Sequence, residues 1–324
     1  RTGFNSSGVL HVFSLCFFYL FILIVFNSFF IMSSNENEKH SKEEMVEAAR
    51  LGALAGIPEA LNLYAYILQT QSENESDKKK AVKYYKKAIA KGYAESMYNL
   101  AKMYDNGDGV PEDKSEAVKL YKMAIENEHV KSMLEYAMML DLGDGIEKDS
   151  TEAAKYFKMA ADRGNARAMN NYAYKLSKGD GIPLDRKEAF KYMKMAMETG
   201  EKEYIGNYAF FLEFGKGVDP NPKEAEKYYK IAIDKGDTSS MINYGIMLFR
   251  GHKIPENKEE GLKYIKMAAD LGNEEGMYNY GMIMMGGEGI EGNKEEGLKY
   301  LKMASDKGHE KAKIEYPRML NMKE

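Results

Sequence analysis

AVKYYKKAIAKGYAESMYNLAKMYDNGDGVPEDKSE, residues Ala81–Glu116, is the first full statement of a pattern that fills the rest of the chain. Its opening octet returns as AVKLYKMA (Ala117–Ala124), AAKYFKMA (Ala153–Ala160), AFKYMKMA (Ala189–Ala196), AEKYYKIA (Ala225–Ala232), GLKYIKMA (Gly261–Ala268) and GLKYLKMA (Gly297–Ala304), always 36 residues on. A fixed period of this length marks small supersecondary units stacked into an array, each burying its apolar face only against its neighbours.

With Ala81 as position 1, Ala or Gly stands at position 1, mostly Tyr at 4, an aromatic or aliphatic residue at 5 and Ala at 8. That i, i+3, i+4, i+7 spacing is one buried helical stripe. Glycine follows at position 12 in six of the seven copies, from Gly92 to Gly308, where a left-handed helix terminus favours it; Glu128 is the exception. A second stripe runs through positions 17, 20, 21 and 24, as in Met97, Leu100, Ala101 and Tyr104, and ends on the position-27 glycine, here Gly107. Each unit therefore reads as an antiparallel helix pair.

Position 33 is Asp or Asn and position 36 is Glu in all six complete copies, from Asp113/Glu116 to Asn293/Glu296. This reads as a capping box: the first side chain accepts from the exposed amides of the first turn, and the Glu reaches back. Carried backwards, the phase finds a degenerate capping repeat at 45–80, with Gly56, Tyr64, Ala65 and Leu68 in register. At the other end Lys313 and Pro317 replace a buried Met and a small residue, as suits a terminal helix. The expected division is an apolar segment at 1–32, a polar linker at 33–44, the degenerate repeat at 45–80, and seven repeats over 81–324, the last incomplete.

The combined pattern AxxYYxxAxxxGxxxAMxxYAxxLxxGxGVxxD resembles the Sel-one-like repeat (SLR) family, relatives of the tetratricopeptide repeat, whose own period is about 34 residues. The resemblance runs from Met45 to the C-terminus. It implies an all-α, right-handed α/α superhelical solenoid of 36-residue helix–turn–helix repeats that serves as a scaffold for protein complexes. Some family members act in protein quality control at the endoplasmic reticulum membrane; others regulate cell-wall synthesis or signalling. The quality-control members carry their anchor after the repeats, whereas here the apolar run precedes them.

That run, Val9–Met32, holds 24 residues without Asp, Glu, Lys or Arg, more than the ~20 that span a bilayer core. It reads either as a signal anchor or, being rich in Phe, Leu, Ile, Tyr and Asn like translated AT-rich DNA, as upstream sequence ahead of a start at Met32. The first reading puts the repeats at a membrane, that of the endoplasmic reticulum by family analogy. The second puts them in the cytoplasm. All 50 acidic residues and 45 of the 46 basic ones follow Met32, and the net charge of −4 gives no footing for a nucleic-acid partner. The single cysteine, Cys16, leaves the repeats without a disulfide or a thiolate metal site.

The expected function is that of a non-enzymatic scaffold or adaptor that binds segments of protein partners along a repeat groove, with no cofactor and no metal. The five histidines are scattered, with no HExxH and no base–nucleophile pairing indicated. Asp105–Gly109 is a turn rather than a calcium loop, because its acidic spacing and closing Glu are wrong. A second reading is a membrane-tethered quality-control adaptor. A third is a hydrolase, resting on the Ser76-x-x-Lys79 spacing, which no SDN or KTG element accompanies.

Lysine fills positions 3 and 6 in all seven copies, either as a basic ladder for an acidic partner or as a solvated face paired with Glu at 36 and acids at 10. By tetratricopeptide analogy, positions 2, 5 and 9 of the first helix flank the groove. The partner-binding candidates there are Tyr85, Ile89, Tyr121, Ile125, Phe190, Met193, Met197, Tyr229 and Ile233, against the alternative that they are buried between units. The Ala189–Glu224 unit, with Phe190, Tyr204 and Gly206, departs furthest and is the first candidate for a specialised contact. Ten of the 23 methionines, at positions 7 and 17, read as adaptable core.

Overall fold

The backbone enters helix wherever an apolar stripe repeats at helical spacing and leaves it at the glycines. The computed structural model describes residues 37–321, apart from 73 and 287–288. Sixteen helices lie among them. In the N-terminal part these are α1 (Asn37–Leu54), α2 (Pro58–Thr70), α3 (Glu75–Ile89), α4 (Ala94–Asn106), α5 (Lys114–Glu126) and α6 (Val130–Leu142). There follow α7 (Ser150–Asp162), α8 (Ala166–Lys178), α9 (Arg186–Glu198), α10 (Lys202–Phe214) and α11 (Pro222–Asp234). The last are α12 (Thr238–Arg250), α13 (Lys258–Asp270), α14 (Glu274–Gly286), α15 (Lys294–Asp306) and α16 (Glu310–Asn321). Odd-numbered helices from α3 onward carry the AVKYYKKA-type stripe and even-numbered ones the second stripe. The fold is an all-helical repeat solenoid. The Val9–Met32 run lies outside the described residues. Helix α1 begins at Asn37, within the stretch read as a polar linker.

Two compact units divide the chain within α6. The first ends at Tyr136 and takes in Asp144–Ile146; the second comprises Ala137–Gly143 and everything from Glu147 onward. Inside each unit, consecutive helices joined by the long loop pack more closely than those joined by the short glycine turn. The cause is the small residue at position 21 of an even helix facing position 1 of the next odd one. Ala101 and Ala117 occupy these places in the first unit, Ala209 and Ala225 in the second, all fully buried. At the last two junctions both are glycine, and the backbones come closer still. A Cβ on Gly245 would lie 2.7 Å from the Gly261 carbonyl oxygen, and one on Gly297 2.9 Å from that of Gly281. The tight pair is thus the helix before the long loop and the helix after it, one step out of phase with the pairing read from the sequence.

The long loop is closed differently from the expected capping box. The position-33 side chain does accept from the N–H of the position-36 Glu, at 2.9 Å in Asp113–Glu116 and 3.0 Å in Asn293–Glu296. The cap's own N–H, however, goes to the position-24 carbonyl of the preceding helix, as in Asp113 to Tyr104 and Asn257 to Leu248, both 2.9 Å. The glutamates are therefore released for other work. Glu224 and Glu260 accept from the Nδ2 of Asn221 and Asn257, and Glu296 from the Tyr280 hydroxyl. The short turn needs a left-handed residue, and where glycine is missing Glu128 adopts φ 58° itself, a conformation that costs an L-residue about 1 kcal/mol.

Methionines split by position. Met97, Met133, Met169, Met241 and Met277 at position 17 are buried, whereas Met123 and Met267 at position 7 are exposed. The core reading holds for the first set and for Met303, which packs against the core of the last repeats, but not for Met123 and Met267. The last helix, α16, continues through Pro317 and leaves Ile314 and Leu320 exposed.

Candidate partner-binding site

Burial removes four of the nine expected contact residues from any surface. Tyr85, Tyr121, Met193 and Tyr229 are 0% exposed; position 5 points into the preceding even helix instead of a groove. The Tyr229 hydroxyl donates to Glu213 at 2.8 Å and that of Tyr85 to Gln69 at 2.9 Å, while the Tyr121 hydroxyl finds no partner among the described residues. Ile89, Ile125, Phe190, Met197 and Ile233 are half-buried, and Phe190 stacks on Tyr208 with ring centroids 5.3 Å apart. The departures of the Ala189–Glu224 unit also turn out to be internal in part. Tyr204 is buried, and a Cβ at Gly206 would meet Ser240 Oγ at 2.2 Å and Asp237 Oδ2 at 2.8 Å.

Several lysines of the odd helices find partners within the array. Lys158 bonds Asp162 at 2.7 Å and lies 5.8 Å from the Tyr192 ring centroid. Lys266 meets the Tyr300 hydroxyl at 2.7 Å and Glu296 at 3.4 Å. Burial and the neighbouring Asp162 push the Tyr192 phenol up to about 12. The odd row is thus a solvated, partly self-paired face.

The even row is different. In the second unit α10 packs directly on α12 and α12 on α14, and in the first α2 packs on α4, contacts the odd row makes more sparingly. Because its members touch one another directly, the even row is the inner row of each stack. Positions 16, 20, 21 and 23 of these helices are taken up by packing, which leaves the stripe at positions 15, 19, 22 and 26 along the partly exposed side of each helix. Position 19 is asparagine in succession along the second unit: Asn171, Asn207, Asn243 and Asn279, all half-buried, with Asn99 its counterpart in the first. Beside it, position 22 is Tyr174, Phe210, Ile246 and Met282, also half-buried. Side-chain amides already bond across this row, Asn207 Nδ2 to Asn170 Oδ1 at 2.9 Å. The sequence reading missed this face because it followed the first helix by analogy. The signal was nonetheless countable: one polar residue type held at a fixed place beside two apolar stripes.

A base–nucleophile pair that the sequence did not indicate is present in the first unit. His129 Nδ1 lies 2.9 Å from Ser132 Oγ, and its Nε2 2.9 Å from Glu95 Oε2. The His129 contact holds the Glu95 carboxyl down at about 2, against the burial that opposes it. Ser132 is 0% exposed, so no substrate reaches its hydroxyl. The same position explains the arrangement: Asn165, Asp237 and Asn273 each accept there from the backbone N–H three residues on, at 2.8–3.0 Å. His309 does likewise for Ala312, where no hydroxyl exists. His129 is a helix cap tied to the previous repeat. Ser76 and Lys79 are both exposed on the first turns of α3, where Ser76 donates its N–H to Asn74. Among the described residues no cluster of ligands suits a metal, and no helix is long and apolar enough to cross a membrane.

Paired helices at this spacing, capped and packed alike from one copy to the next, define an α/α repeat protein. The chain belongs to the Sel1 repeat family, whose model matches residues 58–93, 94–129, 130–165, 166–198, 205–237, 238–273 and 274–309. These segments begin with an even helix and end with the following odd one, the phase of the tight pairs. The chain is similar to the crystal structure of a Sel1 repeat protein from Oxalobacter formigenes, at 26% identity and TM-score 0.69, over 75% of this chain and 96% of that one. It also matches the crystal structure of a protective antigen of uropathogenic Escherichia coli displaying an SLR fold, at 22% identity and TM-score 0.67, over 82% of this chain. It spans 57% of that protein's length. No curated protein matches the chain.

Proposed function

We propose that the protein is an interaction scaffold whose second unit receives an extended segment of a protein partner along the even-numbered helices. The observation that supports this is the pair of parallel rows, Asn171, Asn207, Asn243 and Asn279 beside Tyr174, Phe210, Ile246 and Met282. A carboxamide offers one acceptor oxygen and two N–H donors, the complement of a peptide group, and Asn207 and Asn279 each commit only one donor, to Asn170 and Glu275. An extended segment has peptide groups unpaired along both edges and alternating side chains, so amides hold its backbone while the apolar row takes the side chains. Binding of this kind tolerates many sequences, as a scaffold requires.

Random dodecapeptides displayed on phage and selected against the full chain test the reading. Bound peptides should lose about tenfold in affinity, or about 1.4 kcal/mol, when Asn207 and Asn243 are both changed to Ala. Lys227→Ala, on the exposed side of α11, should leave affinity unchanged. Equal loss from both variants, or none from the first, contradicts the proposal.

A further inference from the structure

Position 28, just after the helix-ending glycine, is Asp108, Asp144 and Asp180 in successive repeats, and each is matched by a cation. Lys78 holds Asp108 at 2.7 Å, Lys114 holds Asp144 at 2.9 Å, and Lys175 holds Asp180 at 2.9 Å. In the next repeat the residue is Lys216, and the charge is reversed without a reversal of its surroundings. Ser177, at the place from which Glu213 meets His252 one repeat later, turns its hydroxyl to the Tyr174 carbonyl. Glu213 faces the other way, into Tyr229 Oη at 2.8 Å and His252 Nδ1 at 3.2 Å. Among the described residues, no carboxylate lies within ion-pair distance of Lys216.

Its ammonium instead lies 4.6 Å from the centroid of Phe210, the position-22 residue of the inner face, and 5.7 Å from that of Phe211. Gly217 seats this loop on the start of α9, so close that a Cβ there would overlap the Arg186 carbonyl. Burial, and then the charges of Lys178 and Arg186, push the Lys216 pKa down. A half-buried cation with cations for neighbours and aromatic rings beneath it is stabilised by an anion arriving from outside. The apolar surface beside it continues through Phe214, 4.7 Å from Phe210 and 5.6 Å from His252.

We infer that the segment received by the second unit is acidic, and that one of its side-chain carboxylates docks on Lys216 while an adjoining apolar side chain packs on Phe210 and Phe214. This rests on the reading of the inner face as a peptide groove. Charge complementarity selects the occupant: a lysine already over an aromatic ring needs only the carboxylate to complete a charge-assisted hydrogen bond.

The displayed dodecapeptides separate the two claims. Peptides selected on the unaltered protein should be enriched in Asp or Glu beside an aromatic or aliphatic residue. They should lose about tenfold or more in affinity for Lys216→Glu. Lys216→Met, which keeps the stem over Phe210 but not the charge, should lose a similar amount while melting with the unaltered protein. Selection on Lys216→Glu should replace the acid with Lys or Arg. Peptides that bind through Asn207 and Asn243 but show no acidic preference, or bind Lys216→Met undiminished, overturn this inference and leave the groove intact. If no peptide is retained, groove and inference fall together.

Discussion

The odd and even rows of helices are built from equally apolar stripes, yet they put different chemistry on their free faces. On the odd row the exposed face is lysine at positions 3 and 6, answered in several repeats by acids and phenols of the same array, as Lys158 is by Asp162 and the Tyr192 ring. On the even row it is asparagine beside an apolar residue, and in the Ala189–Glu224 repeat a lysine with no acid. A face whose groups satisfy one another gains little from a partner. A face of amides with bonding capacity to spare, half-covered aromatic rings and a cation that meets no carboxylate among the described residues has more to gain.

The largest effect should come from the buried side of the odd row. Ala160→Asp puts a charge at a fully buried site, and should cost on the order of 3–5 kcal/mol, read by chemical denaturation. A loss no greater than that of a surface change would mean that the two faces are misassigned. Gly245→Ala, pressed on the Gly261 carbonyl, should cost about 1–3 kcal/mol by the same measurement.

Equivalent tyrosines sharpen the comparison further. Tyr229→Phe deprives the buried Glu213 of a donor and should cost about 1–3 kcal/mol. Tyr121→Phe removes a buried hydroxyl without a partner, and should be neutral or stabilising by about 1 kcal/mol. Melting temperatures that moved the same way in both would refute the hydrogen-bond assignment.

The pH response follows from Glu95. Its folded pKa, about 2, lies below the ordinary value of 4.5 because His129 donates to it. The stability this provides is complete above 4.5 and is lost as pH falls toward 2. Glu95→Gln should therefore flatten the acid limb of the first unit's melting curve; an unchanged limb would count against the contact. Smallest of all, Lys158→Ala should shift stability by only about 0.2–1 kcal/mol, since its pair is exposed.

Much of the fold was legible because each repeat tests the last. Stripes, glycines and caps recur in register, so helix number and boundaries followed from spacing. The phase of tight pairing was not legible: it depends on how closely two backbones approach, and only the joint change of Gly245 with Gly261 and Gly281 with Gly297 hinted at it. The site was misread for a related reason. An aromatic at position 5 looks the same whether it points into the preceding helix or into a groove, and burial of Tyr85, Tyr121 and Tyr229 decides the matter. The asparagine row was visible in the residues, but its place on the inside of the stack depended on which helices touch.

The most direct test observes those amides. With asparagine side chains labelled in nitrogen-15, a peptide chosen on the unaltered protein is titrated in while the Nδ2 resonances are followed. The account predicts that Asn171, Asn207, Asn243 and Asn279 shift together while the loop asparagines Asn127 and Asn257 stay still. Shifts confined to the loops, or none as the peptide saturates, would contradict it.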